Sequence, residues 1–512
     1  MTADSDQPDA EELDLAARLR AVLALDTAAP AIEFDDHWST WGDLADLMAA
    51  VDAALLEAGL GEGAAVGVLL RNRPSLLGAM MSVIVSRRCV LTLNAIQGPA
   101  KLTEELAALR APALIAHRDD WAVSGVLEAA REVGCLGLEV VDRPLAVRAL
   151  PGLEKLGPGP HHEPLAGVAV QMLTSGTTGP PKRVPLRLAA LDRSLASAAR
   201  YESKGAGSGA PRLSSGVVLL PNPLVHVGGI FRASGALYSG RRISMMERFD
   251  VAQWHALVLR HQPKAASLVP AAVKMVLDAE LPREDLSSLR IVSAGTAALD
   301  PETAERFEQQ YGVPVLTTYG ATEFAGGVAG WTLRDHQRYG SEKRGSVGRA
   351  NAGVELRVVD PESGAVRGAG EDGLLEVRTR QHSAEPDWVR TTDLARLDED
   401  GFLWVLGRAD GAINRGGFKL LPGDIEQALL QHPAVKEAAV VGLPDERLGE
   451  VPVAAIVLCA DGPATGVDDL ERFAKEQLTG YQRPAQYRIV ASLPRTPSLK
   501  VSQPAVRELF QA

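Results

Sequence analysis

Cysteine is scarce. The three present, Cys89, Cys135 and Cys459, are scattered without C-x-x-C spacing, which excludes a disulfide framework and a cysteine-built zinc site and fits a reducing cytoplasm. An excess of basic charge is also missing: 53 Lys and Arg against 65 Asp and Glu leave −12, a poor match for a surface that neutralises a phosphate backbone, so no nucleic-acid partner is expected. Long apolar runs are absent. The longest, from Val451 to Ala460, stops at Asp461, short of the ~18 residues a membrane span needs. The first residues carry Asp4, Asp6, Asp9, Glu11 and Glu12 where a secretory leader would be basic and then apolar. A soluble, cytoplasmic protein with no membrane span is the expectation.

What is present suffices for several cores: 512 residues with 46% hydrophobic side chains point to two to four domains. Leu44, Leu47, Met48, Val51 and Leu55 recur at helical spacing behind the capping signal Thr40-x-x-Asp43, and a turn at 59–63 leads into the buried-strand run 66–70. Further short strands at 113–115, 216–220, 266–269 and 291–292 alternate with helices at 250–260 and 301–311, the mark of α/β sheets. From about Gly353 the texture becomes strand-and-turn, at 355–359, 374–377 and 402–406, predicting a small antiparallel β unit. A joint at 409–411 precedes a helix at 424–431, a strand at 435–441, a turn at Pro444-Asp445, a strand at 452–458, a helix at 468–478 and a strand at 487–490. The fold class is therefore α/β: a large N-terminal domain of stacked sheets plus the antiparallel unit, residues 1–409, then a small α+β domain, 410–512, able to fold alone. The stretch 205–209 reads as a flexible loop.

Five segments carry candidate chemistry. Met172-Leu-Thr-Ser-Gly-Thr-Thr-Gly-Pro-Pro-Lys182 gathers four hydroxyl residues, two glycines and a lysine within nine positions, as a polyphosphate cradle requires, although it is not the Walker pattern; the competing reading is a loop rich in turn formers. Tyr319-Gly-Ala-Thr-Glu323 follows the strand-like 313–317, where ligands sit in open α/β sheets. Glu323 either holds Mg²⁺ or stabilises a helix start. Asp393 in Arg390-Thr-Thr-Asp393 and Arg408 in Gly407-Arg408 form either a nucleoside clamp or a structural ion pair. Lys500 ends the Pro-flanked run Leu493-Pro-Arg-Thr-Pro-Ser-Leu-Lys500.

In this order, with Asn414-Arg-Gly-Gly-Phe-Lys419 between the last two, these pieces resemble the adenylate-forming superfamily of acyl-CoA synthetases, peptide-synthetase adenylation domains and beetle luciferases, over Thr40 to about Ser502. The resemblance implies that Thr174, Ser175, Gly176, Thr177, Thr178, Gly179 and Lys182 wrap the β- and γ-phosphates of ATP, with Thr178 and Lys182 on the catalytic side. It places Gly295, Thr296 and Ala297, with Thr318, Tyr319 and Gly320, in an adenine pocket. Thr322 would meet the α-phosphate, Glu323 Mg²⁺, and Asp393 and Arg408 the ribose, with Lys500 the catalytic lysine. A carboxylate attacking the α-phosphorus brings two anions together, which a lysine between them offsets. For the second step the small domain would rotate about Asp410, bringing Gly416 and Gly417 to a coenzyme A tunnel and Asn414 and Lys419 to the nucleotide. A Cβ at Gly417 would block the pantetheine arm.

Pro221-Asn-Pro-Leu-Val-His-Val-Gly-Gly229 matches the segment whose histidine, His226, stands between acyl pocket and thiol tunnel; a packed core histidine is the alternative. Amino-acid-activating relatives carry an aspartate there and this segment has none, so an acid with an uncharged tail is expected. Ala294, Gly295, Ala325, Gly326 and Gly327 would leave room for a bulky hydrophobic or aromatic one. Arg183, Thr392 and Leu499 stand where the family often has glycine, adding bulk near the adenylation chemistry. The expectation is an acyl-CoA ligase using ATP, Mg²⁺ and coenzyme A. A thioesterification-only variant, a ligase that loads a carrier protein and a luciferase-like oxidoreductase are the alternatives.

Overall fold

The structure is a computed structural model that describes residues 14–174, 182–202, 210–321, 324, 326–379, 387–415, 418–445, 448–460, 462–496 and 499–511. The described residues divide into two compact units, one ending at residue 327 and the other beginning at 328.

In the first unit the helix behind Thr40 runs Trp41–Glu57. Its capping box is closed in both directions: Thr40 accepts the Asp43 N–H at 3.0 Å and Asp43 accepts the Thr40 N–H at 2.8 Å. All five of the apolar residues that define its helical spacing are buried. They pack on the helix Pro74–Val85, where a Cβ at Gly78 would stand 2.7 Å from Leu47 Cδ2, so a glycine permits the close crossing. Beside these helices lies a seven-stranded sheet in the order Leu145–Ala149, Leu136–Asp142, Ala113–His117, Ala65–Leu70, Cys89–Asn94, Val168–Thr174, Lys182–Arg187. Its interior strands are parallel and its two outermost pairs antiparallel. A four-stranded sheet orders Ser214–Leu220, Arg241–Met245, Pro30–Phe34 and His37–Thr40, and Ala265–Leu268, Ile291–Ala294 and Val315–Ala321 form a third, parallel set. Parallel strands buried on both faces explain the continuous apolar runs of the sequence.

The second unit contains the expected antiparallel sheet, Val354–Val359, Asp372–Thr379, Val389–Leu397 and Leu403–Arg408. Farther along, Val435–Asp445 and Gly449–Leu458 pair antiparallel, flanked by Ile413–Arg415 and Gln486–Ile489. The helices Pro422–Leu430 and Val467–Gln477 contribute to a core of Ile413, Ile425, Leu429, Val440, Ile456 and Leu470.

Two boundaries differ from the sequence expectation. The strand expected at 313–317 is Val315–Ala321, so Tyr319 and Gly320 lie within its end; the unbroken pleat carries the β-favouring Thr-Thr-Tyr onward. Pro444 and Asp445 are strand residues paired with Glu450 and Gly449, because a proline needs no ladder donor at the end of a hairpin. The loop at 205–209 lies outside the described residues.

Candidate active site

His226 caps the helix Val227–Tyr238 with extended backbone. The preceding turn is closed by the His226 N–H on the Pro223 carbonyl at 3.1 Å. Only a glycine fits at 229, where a Cβ would come within 2.1 Å of the Pro223 oxygen. The turn is fixed from below by Asn72, which lies just past the end of the strand Ala65–Leu70. Its amide donates to the Asn222 and Met246 carbonyls at 3.1 and 2.9 Å, and its oxygen accepts the Leu224 N–H at 2.8 Å. Asn72 is buried, so these bonds also satisfy a polar group that has left water.

The same helix faces the ends of two parallel strands. A Cβ at Gly228 would touch Thr296 Cγ2 at 3.4 Å, Arg232 Nη2 donates to Ser293 Oγ at 3.2 Å, and Phe231 lies 3.7 Å from the Cβ position of Gly326. Thr318 Oγ1 donates to the Ala294 carbonyl at 3.3 Å and would stand 2.5 Å from a Cβ at Gly295. A Cβ at Gly320 would meet the Gly326 oxygen at 2.2 Å. Thr296 is held at φ +70°, a conformation a β-branched residue rarely adopts and one that collects at ligand sites. Thus Gly295, Thr296, Thr318 and Gly320 come together, with Ala297 and Tyr319 as chain neighbours, and Thr296, Ala297 and Thr318 are exposed. At 295 and 320 a Cβ would collide with Thr318 and Gly326, so glycine permits the close approach of these chain segments.

Thr174 and Lys182 pair across the Val168–Thr174 and Lys182–Arg187 ladder. Ser175, Gly176, Thr177, Thr178 and Gly179 lie outside the described residues, as do Thr322, Glu323 and Ala325. Among the described residues no group of side chains forms a metal site. The Arg183 guanidinium is paired with Glu105 at 2.6 Å and donates to the Thr92 and Gln171 carbonyls at 3.2 and 3.4 Å. Burial lowers its pKa and the Glu105 carboxylate opposes the shift.

In the second unit the ladder places Asp393 opposite Arg408. Asp393 is half-buried and takes the Thr391 hydroxyl on its own N–H at 3.0 Å, while Thr391 donates to the Leu375 carbonyl at 2.8 Å. Thr392 is exposed and lies where the ladder register shifts between the Glu376–Arg390 and Leu374–Leu394 pairs. Asn414 pairs with Lys419 across the hairpin that carries Gly416 and Gly417, two glycines outside the described residues. Arg415 anchors that hairpin on the carbonyls of Gly480, Tyr481 and Arg483 at 3.3, 2.7 and 3.1 Å.

Lys500 sits on a turn closed by Thr496 N–H to the Lys500 carbonyl at 2.7 Å and by Arg495 Nη1 to the Leu499 carbonyl at 2.9 Å; Arg495 is in turn ion-paired with Glu437. Leu499 has φ +63°, the left-handed region that favours the glycine frequent at this position in the resemblance. Lys500 is exposed, yet surrounding protein desolvates its ammonium and lowers its pKa. Sequence reasoning passed over Asn72 and Arg232. The signal for Asn72 was its place after a buried strand, and for Arg232 a charge on an otherwise apolar helix.

Comparison with known proteins agrees with this geometry. Residues 20–384 match the family described as AMP-binding enzyme, and residues 424–500 match its C-terminal domain. The chain is 31% identical over 487 residues to a sulfoacetate–CoA ligase of Cupriavidus necator, covering 91% of this chain and 92% of that one. It is 29% identical over 511 residues to an indoleacetate–CoA ligase of Aromatoleum aromaticum, covering 95% and 96%. Among solved structures, o-succinylbenzoate CoA synthetase from Bacillus subtilis, in complex with its acyl-adenylate intermediate, superposes with a TM-score of 0.76 at 24% identity over 96% of this chain and 97% of that one. An amide bond synthetase from Marinactinospora thermotolerans superposes with a TM-score of 0.79 at 26% identity over 97% and 100%.

Proposed function

This chain belongs to the AMP-binding enzyme family, whose members are ATP-dependent acid–thiol ligases, and we propose that it activates a bulky carboxylic acid as the acyl adenylate and passes the acyl group to the thiol of coenzyme A. The observation that carries the reading is the gathering of Gly295, Thr296, Thr318 and Gly320 at the strand ends, together with the helix that starts at His226. The relatives named for sulfoacetate and indoleacetate are ligases of a small anionic and an aromatic acid, so membership leaves the acid class open. A hydrophobic or aromatic body suits the small residues at Ala294, Gly295 and Gly326.

In the first half-reaction the acid carboxylate attacks the α-phosphorus, the bond to the β-phosphate oxygen breaks, and pyrophosphate leaves. Lys500 holds its proton and places a positive charge between the reacting anions. Asp393 accepts from the ribose hydroxyls, with Arg408 opposite it. Glu323 would hold Mg²⁺, whose charge would offset that of the departing pyrophosphate. In the second half-reaction the thiolate attacks the acyl carbonyl, the bond to the AMP oxygen breaks, and the Gly416-Gly417 turn, pivoting near Asp410, admits the pantetheine arm. The pairing of Arg183 with Glu105 and the glycine-like backbone of Leu499 favour a complete two-step ligase over a thioesterification-only variant.

Half-reaction assays test the scheme. Lys500→Ala is expected to lower acid-dependent pyrophosphate exchange by at least ~100-fold while thioester formation from supplied acyl adenylate survives. Gly417→Leu is expected to show the opposite selectivity. Equal loss in both assays for both variants would refute the division of labour, and oxygen uptake would point to a luciferase-like reaction instead.

A further inference from the structure

We propose that Arg232 is a specificity-determining residue and that the acid this enzyme activates carries a second, distal anionic group, a carboxylate or a sulfonate, which Arg232 and Ser293 receive together. The inference rests on the ligase reading above and names the substrate class of that same site.

Gly228, Phe231 and Arg232 are spaced i, i+3 and i+4 on the helix Val227–Tyr238, so they share one face. That face is the one turned to the strand ends. Gly228 abuts Thr296, Phe231 abuts Gly326, and Arg232 reaches Ser293 Oγ at 3.2 Å. Three of the residues touched or adjoining, Ala294, Gly295 and Gly326, are those assigned to the acid pocket by resemblance. The wall is therefore made of small residues, one aromatic ring and one guanidinium with a hydroxyl beside it. Arg232 and Ser293 are both half-buried, so the charge is partly withdrawn from water beside the strand ends.

A guanidinium presents planar, parallel N–H donors that match a carboxylate in bidentate fashion, and an adjacent hydroxyl adds a third donor by rotating its proton. A distal anion would join or displace the contacts Arg232 already makes. A pocket built to bond a polar group rejects the analogue that lacks it far more strongly than an apolar pocket rejects an extra methylene. The missing aspartate in residues 221–229 excludes a cationic tail and says nothing against an anionic one. The distal anion thus replaces the expectation of an uncharged tail, while the hydrophobic or aromatic body, lying along Phe231, is retained.

The test uses the full chain and matched acids: hexanoate with adipate and 6-sulfohexanoate, and 3-phenylpropanoate with its 4-carboxy and 4-sulfo derivatives. Acid binding is measured by calorimetry without ATP, and thioester formation with ATP and coenzyme A. Wild type is expected to favour at least one anionic series by ~30-fold or more in kcat/KM, with the carboxylate and sulfonate arms telling the two apart. Arg232→Met should erase that preference through KM for the acid, leave KM for ATP and coenzyme A unchanged, and keep or improve turnover of the neutral acids. Arg232→Lys should restore part of the preference. Turnover of neutral acids with no anionic preference would overturn the proposal and leave the ligase reading intact. Arg232-dependent binding of the anionic acid without thioester formation would sustain the proposal and overturn the ligase reading. Equal loss on all acids in Arg232→Met, or no binding of any anionic acid, would overturn the proposal.

Discussion

A single backbone angle ties Leu499 to the catalytic turn. Left-handed backbone costs an L-residue roughly 1–2 kcal/mol, and a branched Cβ makes it worse. Leu499 bears that cost one residue before Lys500, at φ +63°. Glycine would remove the steric part and give back roughly 0.5–1 kcal/mol as unfolded-chain entropy. Leu499→Gly is therefore expected to leave the melting temperature equal or slightly raised, with adenylation intact, whereas Leu499→Val should lower it by a few degrees. Thermal melts of the two variants against wild type check the order; Leu499→Gly melting below Leu499→Val would show that the side chain, not the backbone, holds the turn. The nearby Lys500 ammonium and the Thr296 turn follow the same pattern, in which strained or desolvated groups gather where ligand is expected.

Elements decide where these residues point. The helix Pro422–Leu430 carries Glu426, which accepts the Val440 N–H at 2.8 Å and whose pKa is pushed up to about 7 by burial. The folded state therefore holds this proton more tightly than the unfolded chain does. Stability from this group is complete below the unfolded value near 4.5 and is lost as pH rises toward about 7. Glu426→Gln keeps an acceptor for Val440 and removes the charge. It is expected to melt several degrees higher than wild type at pH 8 and about equally at pH 4.5; an equal gain at both pH values would exclude ionisation as the cause. Hairpins and strand ends explain what the sequence could and could not convey. The capped helix behind Thr40 was legible because its signals lie within a few residues of one another. Asp393 and Arg408 were named from motif order, but that they face each other follows from strand register, which alternating side chains alone do not fix. That the Arg183 guanidinium is held by Glu105 was not legible, because a linear chain does not show which distant side chain meets a strand residue. Asn72 escaped notice because its partners lie about 150 residues away.

At the scale of the whole chain, the part following the antiparallel sheet has cores of its own. One surrounds Ile413, Ile425, Val440 and Leu470, and another surrounds Val441, Val453, Leu493 and Val506. A fragment of residues 410–512 is therefore expected to fold alone and melt cooperatively, as followed by circular dichroism and amide exchange; a fragment without protected amides would place the boundary elsewhere. The composition that spoke against nucleic acid and disulfides did so at this scale, and the ordered motifs conveyed the family, but the helix face on which the proposed acid class rests is named by no motif. The ladder rung joining Asp393 to Arg408 ends immediately before the tight turn Ala409–Gly411. If the proposed swing begins at Asp410, it has almost no lever arm on that rung, and a sugar held there would stay moored while the tail sweeps round, so that the labile anhydride need never be let go and caught again between the two proposed steps.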